Sequence, residues 1–390
     1  MKIAFVNASW HIGNGEHFYG SLVAEDGRIL ALSEGDACPP ADEIVDLGGA
    51  VVIPGLVDVH THGRAGYDFT SATIDGATAA ARSYLRSGVT ALLPTLASAP
   101  FAELCAAGDT LAILKTEAEK DKTLPRILGT HLEGRYLSKE KRGAHAEHLL
   151  APLDPEELET LIPHLGSEFH VSCAPECDTT GRFIETVTKN GGTVGIAHTT
   201  ATYEEAMDAI RKGAVSFTHT YNAMPALMHR AGGATAAALV SDAYAELICD
   251  GLHISPEMVH LAYKCKGSER LVLITDSMEA TAVGDGTYSI AGMTCIVKDG
   301  KALTTDGHLA GSTLSLLEGL VNLMRFCGLS LDEALPAATR NPAAMVRALH
   351  RVGTLEVGKY ADFVVLDPNF AENAHPLTAI RAVLLGGERV

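Results

Sequence analysis

The sequence lacks any apolar run long enough to span a bilayer. Its first ten residues, MKIAFVNASW, turn polar too soon to form the apolar stretch of a signal peptide. Positive charge is scarce: 30 lysines and arginines face 48 aspartates and glutamates, for a formal net charge of −18. That balance disfavours nucleic acid or an anionic membrane as the main partner, but allows a small anion held in a local basic pocket. Cysteine is present without pattern. The eight are scattered, and Cys173 and Cys177 have no matching second pair. Neither a disulfide framework nor a zinc ribbon follows, and small buried side chains in a reducing cytoplasm fit better. There is no fixed repeat, low-complexity tract or long linker.

What remains is ordinary globular composition, 390 residues with 47% hydrophobic and 20% charged. Both chain ends read as strands and turns. FYGSLVAEDGRILALSEG carries two β-rich runs around Glu25, Asp26, Gly27 and Arg28, a hairpin signal. VGTLEVGKYADFVVLD and RAVLLGGERV have the same character near the C-terminus. Between the ends, short apolar runs alternate with segments of helical periodicity such as PEELETLIPHLG and YEEAMDAIRKGA. Such alternation predicts βαβ units on a parallel sheet. About eight such strands can be placed, the number that closes a (β/α)8 barrel. TYSIAGMTCIVKDGKALTT reads as a hairpin inserted after the eighth.

Each run turns polar at its C-terminal end, where barrel enzymes build their active sites. The first, GLVDVHTHG, ends in His60 and His62. Residues i and i+2 of a strand point to one face, so two imidazoles can converge there on a divalent metal. An isolated H-x-H is common at turns, so the rest of the chain must decide. Other strand ends carry Thr95, His131, Glu133, Glu176, His198, His219, His253 and Asp276. Glu133, His198 and His219 offer one carboxylate and two imidazoles, a catalytic zinc-type set with room for water. His60 and His62 complete that set or hold a second ion.

The ordered series H-x-H, HLEG, IAHT, THTYNAM, DGLH, LITDSM and LAGSTLSL resembles the amidohydrolase superfamily. Within it, the series is similar to the N-acetylglucosamine-6-phosphate deacetylase family, along essentially the whole chain. The resemblance implies an α/β fold: a (β/α)8 metal-dependent hydrolase barrel over residues 54–349. Beside it stands a small β-sandwich built from residues 1–53 and 350–390. It implies Glu133, His198 and His219 as principal metal ligands and Asp276 as catalytic acid/base. His145, Asn222, Ala223, Arg230, Asp250, Gly251, His253, Leu309, Ala310 and Gly311 match substrate contacts, Arg230 as the phosphate-binding arginine. One or two divalent ions are implied, with zinc first and iron, manganese or cobalt also compatible with the ligands. A cytoplasmic homodimer acting on an amino-sugar phosphate is implied too.

The expected reaction is hydrolysis of the N-acetyl amide of N-acetylglucosamine 6-phosphate, with the galacto epimer as the alternative substrate. Two departures from the family pattern stand out. Arg135 follows HLEG where the family usually has proline, and MHRAGGATAAAL lacks the proline common after the family's HRE. A tolerated loop change is the preferred reading of Arg135. The enzymatic rival is a cyclic amidohydrolase with a carboxylated lysine, but no strand end here carries lysine. The other rival, a catalytically silent scaffold barrel, is expected to lose ligands that this chain keeps.

Overall fold

The computed structural model describes residues 1–35 and 39–390; Cys38 lies outside them. All eight expected barrel strands form, in sequence order. They are Leu56–Thr61, Val89–Leu96, Thr130–Glu133, Phe169–Cys173, Thr193–Ile196, Ala214–Phe217, Tyr244–Ile248 and Leu271–Ile274. Each hydrogen-bonds in parallel to the next. The eighth meets the first just beyond its end: Asp276 N–H donates to the His60 carbonyl at 2.9 Å, and His62 N–H to the Ser277 carbonyl at 2.8 Å. The barrel therefore closes at the level of His60 and Asp276.

Local chemistry explains the helices between the strands. Helix Tyr203–Arg211 opens on a capping box in which the Thr202 hydroxyl accepts from Glu205 N–H and the Glu205 carboxylate accepts from Thr202. These bonds satisfy amide groups that the first helical turn leaves without partners. Helix Pro155–Leu165 has Asp154 as its cap and proline in its first turn, where the missing N–H costs nothing. Its Leu158, Leu161 and Leu165 are buried, the spacing of one helix face.

Both chain ends enter one seven-stranded sheet. Lys2–His11, His17–Glu25, Arg28–Glu34 and Glu43–Pro54 join Phe363–Leu366, Ile380–Leu385 and Glu388–Arg389. The predicted hairpin is there, turning at Asp26 (φ 50°) and Gly27 (φ 80°). Phe5, Trp10, Leu22, Ile29, Val52 and Phe363 form its separate apolar core. The segment after the eighth barrel strand has one more strand than the expected hairpin: Gly286–Ile290, Met293–Lys298 and Lys301–Thr304 form a three-stranded meander. Ile290 and Ala291 from this meander line the cavity at the barrel mouth. Among the described residues, no helix is long and apolar enough to cross a membrane.

Candidate metal centre and active site

The C-terminal strand ends deliver a buried cluster. Glu133 ends the third strand and its two oxygens face two different groups. Oε1 lies 2.7 Å from His219 Nε2 and 3.4 Å from His198 Nε2. Oε2 lies 2.9 Å from His62 Nε2 and 3.2 Å from His60 Nε2. Asp276 Oδ1 closes the second group, 3.2 Å from His62 and 3.4 Å from His60. One carboxylate thus spans two adjoining sets of donors, Glu133/His198/His219 and His60/His62/Glu133/Asp276.

The backbone is bent to make this possible. His198, His219 and Asp276 have φ of 43°, 30° and 48°, a left-handed region that non-glycine residues rarely occupy. Such strain costs on the order of 1–3 kcal/mol per residue and persists only where surrounding structure holds it. Gly134, next to Glu133, has φ 154°, and a Cβ there would lie 2.3 Å from Ser98 N. The third strand can therefore approach the second only through glycine at this position.

The electrostatics suit a cation. Burial works against ionising Glu133, but the charge of His60 and bonds from His198 and His219 hold its pKa well below the usual range. Burial likewise opposes ionisation of Asp276, yet His60 and His62 hold it at about 2. Burial opposes charging His62, but Asp276 and Glu133 carry it up to about 9. The pocket stabilises positive charge between two carboxylates. Imidazole and carboxylate donors suit a divalent ion of the zinc class. His198 is oriented for this role, since its Nδ1–H donates to the Lys141 carbonyl at 2.7 Å and leaves Nε2 facing the cluster.

A cavity of about 370 Å³ opens above the cluster, a size suited to a small ligand. Its walls include His62, Glu133, His145, His198, His219, Asn222, Ala223, His253, Asp276, Leu309 and Gly311. His60 lies deeper, fully buried. Asp250 and Gly251 stand behind the wall: the Asp250 carboxylate accepts from His253 Nδ1–H at 2.7 Å and from His253 N–H at 2.8 Å, fixing that ring. Ala310 is buried between Leu309 and Gly311. Arg230 is exposed on the loop following Asn222 and Ala223 and is not part of the cavity wall. Three titratable side chains that the motifs did not single out, Glu140, Lys141 and His308, do line the cavity.

Residues 51–390 match the amidohydrolase family. The chain belongs to that family. This amidohydrolase is similar to the N-acetylglucosamine-6-phosphate deacetylase of Vibrio furnissii, 36% identical over 351 residues, 90% of this chain and 87% of the relative. It is also similar to the N-acetylgalactosamine-6-phosphate deacetylase of Escherichia coli O157:H7, 33% identical over 344 residues, 88% of this chain and 89% of the relative. Among solved structures, the N-acetylglucosamine-6-phosphate deacetylase of Pasteurella multocida superposes with a TM-score of 0.91 at 29% identity, covering 100% of both chains.

Arg135 does not face the cavity of this amidohydrolase. Its guanidinium pairs with the Glu157 carboxylate through two bonds of 2.8 and 2.7 Å. Its φ is 65°, which the proline ring forbids, so this loop has a conformation that proline at 135 cannot take. The N–H that proline would lack donates to Ser98 Oγ at 2.8 Å, and Ser98 Oγ lies 2.8 Å from His145 Nδ1. Arg135 is thus held away from the cavity by Glu157 and connected through Ser98 to a residue at the cavity wall.

Beneath the cluster lies a polar layer of which the sequence marks only His131, as a strand-end residue without a role. Asp58, His131, His170, Ser216 and Glu246 are buried inside the barrel. His60, His131 and His170 pack as a column of rings, with centroids 4.6 and 4.8 Å apart. Ser216 Oγ–H donates to Glu246 Oε1 at 2.7 Å, and Glu246 Oε2 stands 3.7 Å from His60 Nδ1. The Asp58 carboxylate accepts from Thr275 Oγ1–H at 2.6 Å, and burial pushes its pKa up to about 6. Glu246 had a signal, a carboxylate inside the apolar strand AELI; so did Asp58, two residues before His60 on the same strand face.

Proposed function

We propose that this amidohydrolase removes the acetyl group from N-acetylglucosamine 6-phosphate, giving glucosamine 6-phosphate and acetate. The observation that carries the reading is Glu133, whose two oxygens each face a separate set of imidazoles at the floor of the cavity. The similarity to deacetylases along about nine-tenths of the chain supports the substrate class. A divalent ion held here, zinc foremost, supplies Lewis acidity that polarises the amide carbonyl and makes water a nucleophile at neutral pH. His198 and His219 with Glu133 form one ligand set, and His60 and His62 with Glu133 offer a second, so the donor geometry suits two ions.

The side chains divide the remaining work. Asp276, ionised and facing the cluster, accepts the proton of the attacking water and returns it to the departing nitrogen. An amine leaves poorly unless protonated, so one residue serves as base and then acid. His145 presents Nε2 toward the cluster, 3.9 Å from Glu133 Oε2, where an N–H stabilises negative charge developing on the carbonyl oxygen. Asn222, Ala223, the Asp250–His253 pair and the 309–311 loop hold the sugar. Arg230 takes the phosphate, with Lys141 a further cation in the cavity wall. Residues 1–53 with 350–390 form one unit and 54–349 the catalytic barrel, a division supported by the sheet that draws on both chain ends. A cytoplasmic homodimer completes the proposal.

The deciding experiment measures acetate released by zinc-loaded protein from the 6-phosphates of N-acetylglucosamine and N-acetylgalactosamine, with metal content determined in parallel. A faster rate on the gluco epimer supports the proposal. A faster rate on the galacto epimer transfers it to the other substrate, and no acetate from either overturns it.

A further inference from the structure

A second group of metal-type donors lies away from the barrel mouth, where the N-terminal sheet meets a short helix near the C-terminal end of the barrel segment. His11 ends strand Lys2–His11, His17 begins strand His17–Glu25, and the two residues pair directly across the antiparallel ladder. That register puts both imidazoles on one face. The rings stack with centroids 4.9 Å apart and 22° between planes. Asp332, on helix Leu331–Ala334, meets them both: its Oδ1 is 2.7 Å from His11 Nδ1 and its Oδ2 is 2.6 Å from His17 Nδ1.

We propose that His11, His17 and Asp332 form a surface site for one divalent transition-metal ion of the zinc class. Four observations converge on it. Both rings aim the same nitrogen, Nδ1, at one carboxylate. His11 Nε2 lies 3.4 Å from Ser9 Oγ, a partner for its outer N–H that leaves the Nδ1 lone pair facing inward. Asp332 is not used by its own helix, whose capping box is made by Ser330 and Glu333. The imidazole–carboxylate separations of 2.7 and 2.6 Å lie close to the shortest one in the barrel cluster of this same chain, 2.7 Å. The side chains of His11 and Asp332 are largely buried while that of His17 is 57% exposed, so one side of the site opens to water for a fourth ligand. The bound ion would tie the first hairpin to a helix more than three hundred residues later in the chain and would stabilise the folded state in proportion to its occupancy.

The alternative is a clamp without an ion, in which both imidazoles donate Nδ1–H to Asp332. The two differ in metal count. The test uses the full-length protein, dialysed against buffered micromolar zinc and analysed for bound metal, beside His17→Ala and Asp332→Asn. Wild type is expected to retain about one ion per chain more than either variant, in keeping with three protein ligands and an open position. Acetate release by the variants should be unchanged, because these residues are no part of the cavity. Zinc should raise the melting temperature of wild type more than that of His17→Ala. Cobalt substitution should give wild type an additional visible absorption that His17→Ala lacks. Because His17 is exposed, its alanine variant keeps the test valid even if Asp332→Asn folds poorly. Equal metal counts and equal zinc-dependent shifts in wild type and His17→Ala would leave only the clamp and overturn the proposal.

Discussion

Replacing Ser98 with alanine tests the link between Arg135 and the active site. Ser98 is buried, accepts Arg135 N–H at 2.8 Å and lies 2.8 Å from His145 Nδ1. A hydroxyl has a single proton. With one lone pair taken by Arg135, His145 Nδ1 is the one acceptor described beside that proton, and with the serine donating to it the imidazole carries its own proton on Nε2. Burial, aided by the charge of His198, pushes the His145 pKa down to about 3, so the ring is neutral near pH 7. Ser98→Ala leaves a buried N–H and a buried ring nitrogen without partners, at about 1–3 kcal/mol each, and frees His145 to take the other tautomer. A donor aimed at an oxyanion is worth roughly a hundredfold or more in kcat. Ser98 only aims it, so the expected fall is about tenfold, near 1.4 kcal/mol on the barrier.

Steady-state acetate release supplies the assay, with KM expected to change little because His145 acts on charge that develops after binding. The double variant Ser98→Ala, His145→Ala should be no slower than His145→Ala alone, because the serine acts through the histidine. A wild-type kcat in Ser98→Ala, a loss confined to KM, or additive losses in the double variant would each refute the reasoning.

Asp276→Asn keeps the shape but cannot take a proton, so kcat should fall by at least about a hundredfold; near-normal turnover rules out its role. His219→Ala should remove most of the metal bound at the barrel mouth, whereas His62→Ala should lower the count by at most one ion, as elemental analysis will read. Arg230→Ala should raise KM for the phosphorylated sugar about tenfold to a hundredfold, the worth of a lost charge-assisted contact, and leave the unphosphorylated sugar almost unaffected; an equal loss on both would transfer the phosphate to Lys141 or to no single cation. His170 is held neutral by burial, which outweighs the nearby Glu246 and lowers its pKa to about 4. The unfolded chain therefore binds more protons between pH 6.5 and 4, and stability should fall through that window as pH drops, by on the order of 3 kcal/mol from this group; urea unfolding of wild type should show the slope and His170→Gln should flatten it.

The strand ends were legible in the sequence because two simple rules act there at once. A strand buried on both faces needs an uninterrupted apolar run, and the first polar residues after it have to face the barrel mouth. His60, His62, Glu133, His198, His219 and Asp276 all stand at that transition. The third strand of the 286–304 meander was not legible, since a short run such as KALT lacks the length to declare itself. Lys141 was invisible as an orienting group for His198, because the atom that matters is its carbonyl oxygen. Any residue offers a carbonyl, so no side-chain pattern can mark the one that is used.

The buried polar layer failed to stand out for a different reason. Glu246 and Asp58 interrupt apolar strands, and the usual expectation treats such carboxylates as edge or surface residues. Here each has a hydroxyl partner from a neighbouring strand, Ser216 for Glu246 and Thr275 for Asp58. A buried carboxylate is tolerable only with such partners, and barrel closure brings those partners together from separate parts of the chain. The candidate site residues require the same closure. His198, His219 and Asp276 sit in strained backbone that no local sequence preference would produce. The strain is held by packing around each strand end and by the hydrogen bonds that join Asp276 to His60 and His62 to Ser277. Closing the barrel therefore builds the site and holds it strained in the same step, so a substitution that loosened the seam between the first and eighth strands would release the ligands before it unfolded the barrel.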